Sequence, residues 1–228
     1  MREIVFDTET TGLDPRSGDR LVEIGCIEMV NRVPTGAVFH AYFNPERGMP
    51  AEAEAVHGLS EAFLSDKPKF GERAEELIAF LGDSPLVAHN AGFDFGFLNH
   101  ELAACGLEAV DRDRMVDTVA IARRKHPGAK LSLDALCTRY GIDRSHRTKH
   151  GALLDAELLA QLYVELMGGR QIGLELAAEA AASVQTEELA AVAVTRVFRT
   201  PRPHAASEAE LARHVEFMAG FSDPVWSR

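Results

Sequence analysis

Four acidic side chains lie in segments that are otherwise almost entirely apolar, and this pattern limits how the chain can fold. Asp7 and Glu9 interrupt the run IVFDTET, Asp94 lies in HNAGFDFGFLN, and Asp155 lies in HGALLDAELL. A carboxylate in a protein core is too costly to keep unless it is paired, protonated or bound to a metal. Since no Lys or Arg lies within these three segments, divalent cations are the expected partners. The pattern predicts a metal-dependent phosphoryl-transfer enzyme.

The first pair of carboxylates lies in a predicted strand. Residues two apart in a strand face the same side, so Asp7 and Glu9 project together. Adjacent like charges raise one another's pKa unless a cation offsets them. An exposed edge strand with a polar face is the alternative, but the preceding Ile4, Val5 and Phe6 favour a buried strand.

The other two carboxylates lie in predicted helices. At about 100° per residue, Asp155 falls within about 40° of Leu159, Leu162 and Leu166 and therefore on the inward face. Asp94 lies in the first helical turn, where the helix dipole favours negative charge, so N-terminal capping is the alternative for this residue alone. Two cations about 3.5–4 Å apart, held by three or four carboxylates from separate elements, can bind both reacting oxygens of an in-line displacement.

A histidine precedes the last of these carboxylates by five residues. His150 lies just before the predicted helix that contains Asp155. From a loop, its imidazole could reach a water molecule near Asp155, and a reference pKa of about 6.5 suits a general base. His150 is therefore a candidate catalytic residue.

Composition indicates one globular domain with an extension. The chain has 228 residues, of which 46% are hydrophobic, and it has no apolar run long enough to cross a membrane. The N-terminus shows no signal-peptide pattern. We interpret Cys26, Cys105 and Cys137 as reduced core thiols. These features predict a cytoplasmic protein without a membrane partner.

The charge is negative overall but unevenly distributed. A net charge of -11 argues against a protein that holds nucleic acid by bulk electrostatics. Between Arg112 and Lys149, however, ten Lys/Arg face four Asp/Glu, a local balance of +6. This segment is either a solvated helical face or a rim that binds a nucleic-acid backbone beside an acidic metal centre.

The order of predicted elements indicates an α/β fold. A mixed sheet, with a three-strand antiparallel meander followed by parallel strands, is expected between helices. The predicted strands are 3–9, 21–30, 36–43, 85–89 and 114–117, and the predicted helices are 51–56, 60–65, 71–81, 92–105, 117–125, 131–140 and 152–167.

Three segments resemble the exonuclease motifs of the DEDD superfamily, in its histidine-containing branch. They are FDTETTGL, HNAGFDFGFL and HGALLDA, and the resemblance covers residues 1 to about 167. It implies a ribonuclease-H-like fold and two-metal 3′→5′ exonuclease activity with Mg²⁺ or Mn²⁺. It also implies that Asp7, Glu9, Asp94 and Asp155 are the metal ligands and that His150 is the general base.

Within the superfamily, the chain is most similar to the proofreading subunits of bacterial DNA polymerase III. The resemblance implies a DNA 3′ end as substrate. Thr10 and Leu13 would line the terminal nucleotide, His57 would approach it, Phe93 would pack beside it, and His89 would assist binding. For His57 and His89, a structural polar contact is the alternative.

The same resemblance divides the chain into four parts. Residues 1–169 would form the exonuclease domain. Residues 170–176 would bind the sliding clamp through Gln171, Leu174 and Leu176, although the segment ends in Leu rather than an aromatic residue and could simply continue a helix. Residues 177–206 would be a linker, and 207–228 would dock on the catalytic (alpha) subunit of the polymerase.

The docking tail contains a predicted amphipathic helix. Ser207 and Glu210 form a capping box, ahead of an apolar stripe of Leu211, Val215 and Met218. This helix either folds back on the domain or docks on a partner.

Two other functions share these motifs. An RNA-trimming exonuclease would use the same five catalytic residues, and discrimination would depend on contacts to the 2′-hydroxyl. A scaffold that only binds and stabilises a polymerase is the non-enzymatic alternative.

Overall fold

The computed structural model describes residues 1–147, 149–169 and 205–220. The chain divides into two units, Met1–Glu179 and Ala180–Arg228. The strands of the first unit are β1 (Arg2–Thr10), β2 (Leu21–Val30), β3 (Val33–Tyr42), β4 (Leu86–Ala88) and β5 (Met115–Asp117). Its helices are α1 (Ala51–His57), α2 (Glu61–Leu64), α3 (Phe70–Leu81), α4 (Gly92–Ala104), α5 (Thr118–Lys125), α6 (Leu133–Tyr140) and α7 (Ala152–Leu166).

The five strands form one mixed sheet in the order β3-β2-β1-β4-β5. The first three strands pair antiparallel, whereas β1 with β4 and β4 with β5 pair parallel. The predicted α/β mixed sheet is therefore confirmed. The structure places β1, which contains the first acidic pair, in the centre of the sheet.

The side chains of β1 alternate between two hydrophobic cores, one on each face of the sheet. Ile4 and Phe6 pack in the core that includes residues of α3 and α4, while Val5 packs in the core that includes residues of α5, α6 and α7. Because side chains alternate along a strand, Asp7 and Glu9 share the face of Val5. This is the face on which α7 packs.

A glycine on β2 lets α7 approach the sheet closely. Gly25 pairs with Asp7 in the β1–β2 register. A Cβ atom at Gly25 would lie 2.4 Å from the backbone of Leu153, in the first turn of α7. Only glycine allows backbones to approach this closely. Gly25 therefore brings the start of α7, and with it Asp155, to the position opposite Asp7.

We expect Gly25→Ala to lower the free energy of unfolding by about 2 kcal/mol or more, because overpacking against a rigid backbone is costly. It should also reduce metal binding, since α7 would be pushed away from Asp7. Gly96→Ala is the matched control, because a Cβ there meets no atom within 4 Å and alanine favours a helix. Urea denaturation would test this prediction, and equal stability of the two variants would contradict it.

The β2–β3 hairpin is tighter than predicted. Asn31 and Arg32 both have positive φ angles, 51° and 64°, which is the conformation of a two-residue type I′ turn. This turn lets Val30 pair directly with Val33. The predicted turn at Asn31 and Arg32 is therefore confirmed, but strand β3 begins at Val33, three residues before the predicted start.

The cysteines do not all follow the prediction. Cys26 and Cys137 are buried, as expected, and all three thiols are free. The prediction that Cys105 is a core thiol is wrong, because this residue is exposed at the C-terminal end of α4.

The second unit contains helix α8 (Glu208–Met218). The predicted capping box is confirmed, since Ser207 Oγ accepts a hydrogen bond from Glu210 N–H and the Glu210 carboxylate accepts one from Ser207 N–H. Leu211 and Val215 are 55% and 68% exposed. Gln171, Leu174, Leu176 and most of the predicted linker lie outside the described residues. Across the described ranges, no helix combines the length and apolar character that a membrane span requires.

Candidate active site

Strand β1, helix α7 and the loop before it bring three predicted site residues together. Glu9, His150 and Asp155 each offer one ligand atom, and these three atoms all lie within 4.8 Å of one another. Glu9 and Asp155 are 8% and 3% exposed. Asp7 is partly exposed on the same face of β1. Two carboxylates separated by about 150 positions in sequence therefore lie in one cluster.

The fourth carboxylate comes from the other face of the sheet. Asp94 is 3% exposed, and its Oδ1 accepts a hydrogen bond of 2.7 Å from the hydroxyl of Thr8 on β1. The N-cap of α4 is Ala91, without a side-chain capping bond. Asp94 is therefore not the N-cap, and Thr8 fixes its carboxylate at the end of β1.

Burial disfavours the charged forms of Asp7, Glu9 and Asp94, and repulsion by neighbouring carboxylates adds to this effect at Asp7 and Glu9. The pKa of Asp7 is raised well above its usual value by burial and then by the charges of Asp94, Glu9 and Asp155. Burial also raises the pKa of Glu9 to about 8 and that of Asp94 to about 7. Clustered carboxylate oxygens are the ligands that hard divalent cations prefer. The donor set therefore fits a divalent metal centre.

These shifts predict how stability depends on pH in EDTA. The folded-state pKa values of Glu9 and Asp94 lie above their ordinary values of about 4, so folding retains protons that the unfolded chain releases. Their contribution is complete below about pH 4 and is lost as the pH rises toward about 8. We expect Tm in EDTA to fall over this range and saturating Mg²⁺ to offset the loss. A Tm in EDTA that does not change with pH would contradict this account.

One expectation from the sequence is wrong, because an arginine does reach the carboxylates. Arg147, in the loop between α6 and α7, donates from Nε to Asp155 Oδ1 at 2.5 Å and from a terminal nitrogen to Oδ2 at 2.7 Å. Its charge also lowers the pKa of Glu9. Arg147 lies outside the three acidic segments but only eight residues before Asp155.

His150 lies beside Asp155, where a general base would be needed. Its Nδ1 lies 3.0 Å from Asp155 Oδ2, and its side chain is 47% exposed. The backbone N–H of His150 donates to the carbonyl of Val56 at 3.3 Å. This bond ties the loop to the end of α1.

The residues predicted to line the terminal nucleotide have different environments. Leu13 is 84% exposed, which is unusual for a large apolar side chain. Thr10 is buried, and its hydroxyl donates to the carbonyl of Gly12 at 2.6 Å. Phe93 is partly buried at the start of α4, with its ring centroid 5.0 Å from that of Phe97. Leu13 and Phe93 therefore offer apolar surface, whereas Thr10 shapes the turn after β1.

The two histidines predicted to approach the substrate differ in their partners. His57 is 6% exposed; its Nδ1 accepts from Leu59 N–H at 3.0 Å, which leaves the proton on Nε2. That atom is buried and has no hydrogen-bond partner among the residues that the structure describes. His89, in contrast, contacts the Thr118 hydroxyl at 2.9 Å and the Leu131 carbonyl at 2.8 Å. The geometry favours the structural alternative for His89.

Sequence reasoning missed a fifth carboxylate. Glu23 lies directly opposite Glu9 in the β1–β2 register and is 3% exposed. Its charge is the second cause, after burial, of the raised pKa of Glu9. Glu23 Oε1 lies 2.7 Å from His40 Nε2. An acidic residue in the apolar run LVEIGCIEMV was the available signal, but its position opposite Glu9 depends on the strand register.

Comparisons with known proteins agree with this geometry. A family model described as "Exonuclease" matches residues 4–163. "DNA polymerase III subunit epsilon" of Rickettsia felis is 48% identical over 223 residues, which cover 96% of this chain and 96% of that protein. Its counterpart in Escherichia coli K12 is 41% identical over 220 residues, which cover 93% and 90%.

Solved structures show the same fold. Exonuclease X in complex with 5′ overhanging duplex DNA is 28% identical with a TM-score of 0.56, covering 72% of this chain and 90% of that chain. The nuclease domain of 3′hExo, a DEDDh family member bound to rAMP, is 17% identical with a TM-score of 0.64, covering 73% and 91%.

Proposed function

This chain belongs to the exonuclease family and, within it, to the epsilon subunits of DNA polymerase III, and we propose on this basis how its site edits DNA. The protein is a proofreading 3′→5′ exonuclease that removes mispaired nucleotides one at a time from a DNA 3′ end. The convergence of buried carboxylates from β1, α4 and α7 beside His150 is the observation that supports this most strongly.

Asp7, Glu9, Asp94 and Asp155 would hold two divalent cations, either Mg²⁺ or Mn²⁺. When bound, such cations supply Lewis-acid stabilisation of the charge that develops at the scissile phosphate. The protein keeps the ligands in place through the Gly25 contact with α7 and through the Thr8 hydrogen bond to Asp94.

His150 would take the proton from the attacking water. Its half-exposed ring beside Asp155 lets it accept a proton at the cluster and pass it to solvent. A positioned base of this kind contributes about 10²–10⁴-fold to a rate.

The terminal nucleotide would bind among Leu13, His57 and Phe93. The unpartnered Nε2–H of His57 can donate to a nucleotide oxygen, which removes the cost of a buried donor without a partner. Leu13 and Phe93 would contact the base or sugar. A frayed mismatch would be preferred, because it reaches this site at a lower cost of unpairing.

Release of the terminal nucleotide from labelled primers tests this function. We expect faster release from a mismatched DNA end than from a paired one, dependence on Mg²⁺, and loss of activity in EDTA. When RNA and DNA oligonucleotides with the same sequence and frayed ends are compared, the protein should degrade the DNA faster. Faster hydrolysis of RNA would support the RNA-trimming alternative, and polymerase binding without hydrolysis would support the scaffold.

We propose that α8 docks on the catalytic (alpha) subunit of the polymerase, in the cytoplasm. Leu211→Glu with Val215→Glu should abolish copurification with that subunit, because both exposed side chains lie on one face of the helix. The rate of nucleotide release by the isolated protein should stay the same. Ala209→Glu, on the opposite face, is the control and should bind normally; equal binding by all variants would refute this docking surface.

Gln171, Leu174 and Leu176 remain a proposed clamp-binding segment that rests on sequence resemblance. Alanine at Gln171 and Leu174 should weaken binding to the sliding clamp in a pull-down experiment. Unchanged binding would exclude the segment.

A further inference from the structure

We propose that Arg147 is an internal counter-ion of the active site, which a divalent cation must displace from Asp155. The inference rests on the proposed metal site and concerns a residue outside the ligand set. Among the Lys and Arg side chains that the structure describes, Arg147 is the one that pairs directly with a carboxylate of this set. Its side chain is 9% exposed, so its charge is held at the cluster rather than in solvent.

The contact between Arg147 and Asp155 is bidentate. Two adjacent guanidinium nitrogens donate to the two oxygens of one carboxylate, at 2.5 and 2.7 Å. Such paired, charge-assisted bonds are among the strongest that side chains form. A divalent cation on Asp155 would compete for the same oxygens and would repel the guanidinium at short range.

A second carboxylate offers Arg147 an alternative position. The other terminal nitrogen of Arg147 donates to Asp134 Oδ1 at 2.8 Å, and Asp134 also pairs with Arg144. Asp134 is about half exposed and lies on α6, outside the carboxylate cluster. Arg147 can therefore leave Asp155 while it stays paired with Asp134, which lowers the cost of displacement.

The same guanidinium also contacts the candidate base, His150. A terminal nitrogen of Arg147 lies 2.7 Å from His150 Nδ1, and the same Nδ1 lies 3.0 Å from Asp155 Oδ2. A guanidinium can only donate and a carboxylate can only accept, so Nδ1 bonds to one of the two at a time. In the neutral ring with Nδ1 as acceptor, displacement of Arg147 would free the lone pair of Nδ1, and binding of a cation at Asp155 would thus be coupled to release of the base.

Mn²⁺ titration of the full-length protein, followed by the electron paramagnetic resonance signal of free Mn²⁺, tests this inference. Arg147→Gln should lower the Kd for Mn²⁺ about tenfold, which corresponds to the removal of about one strong competing bond. Arg144→Gln is the control, because it removes the same charge from the same loop but touches Asp134 and not Asp155. It should change the Kd by less than about threefold.

Arg147→Lys provides a second variant that preserves the charge. Lysine cannot form the two-pronged contact, so this variant should also bind Mn²⁺ more tightly than the unaltered protein. If neither Arg147 variant binds Mn²⁺ more tightly than Arg144→Gln, the inference is wrong. If the unaltered protein binds no Mn²⁺, the proposed metal site itself is wrong, and the two failures are therefore distinguishable.

Discussion

Asparagine in place of Asp7 should reduce nucleotide release from a mismatched DNA end by about a thousandfold or more, since metal-assisted catalysis is worth several kcal/mol. Asp7 lies where the charges of Asp94, Glu9 and Asp155 all act on it, so its loss would remove a carboxylate from the centre of the proposed metal site. Initial rates at saturating Mg²⁺ would measure the effect. Asp113→Asn, at an exposed carboxylate outside the cluster, is the control and should retain full activity.

The same substitution should leave the protein folded and raise its Tm in EDTA. The raised pKa of Asp7 means that the folded state disfavours its charge, and asparagine removes that charge with little change in shape. A variant that keeps more than about a tenth of the rate would show that Asp7 does not hold a catalytic cation.

Glutamine in place of His150 should lower the rate about 10²–10⁴-fold, the usual contribution of a positioned base. Its affinity for Mn²⁺ should change little, because the four carboxylates remain. His146→Gln, an exposed histidine in the same loop, is the matched control and should be nearly as active as the unaltered protein. A large loss of Mn²⁺ affinity in His150→Gln would indicate instead that His150 is a ligand.

The carboxylate cluster could be predicted because each member breaks a local apolar pattern. Asp7 and Glu9 follow strand periodicity and Asp155 follows helical periodicity, so the sequence alone indicates which way each points. The mixed sheet was also predictable, since a meander followed by alternating helices and strands has few arrangements. These parts depend on local pattern and chain order.

Other features depend on contacts that local pattern does not determine. Glu23 faces Glu9 only because of the β1–β2 register, and Gly25 is needed only because α7 lies against it. The bond between Arg147 and Asp155 depends on the path of an irregular loop. The basic run was visible in the sequence, but which of its residues turns inward was not.

The two histidines beside the motifs illustrate the same limit. His57 and His89 were equivalent candidates in the sequence, and only their partners distinguish them. Both ring nitrogens of His89 contact protein groups, whereas His57 retains a buried donor that lacks a partner in the described part of the chain.

Anomalous scattering from crystals of the protein grown with Mn²⁺ would show directly whether these carboxylates bind metal. We expect manganese peaks coordinated by oxygens of Asp7, Glu9, Asp94 and Asp155, with Arg147 paired to Asp134 and no longer to Asp155. Absence of manganese at these carboxylates at saturating Mn²⁺, with Arg147 still bound to Asp155, would contradict this expectation.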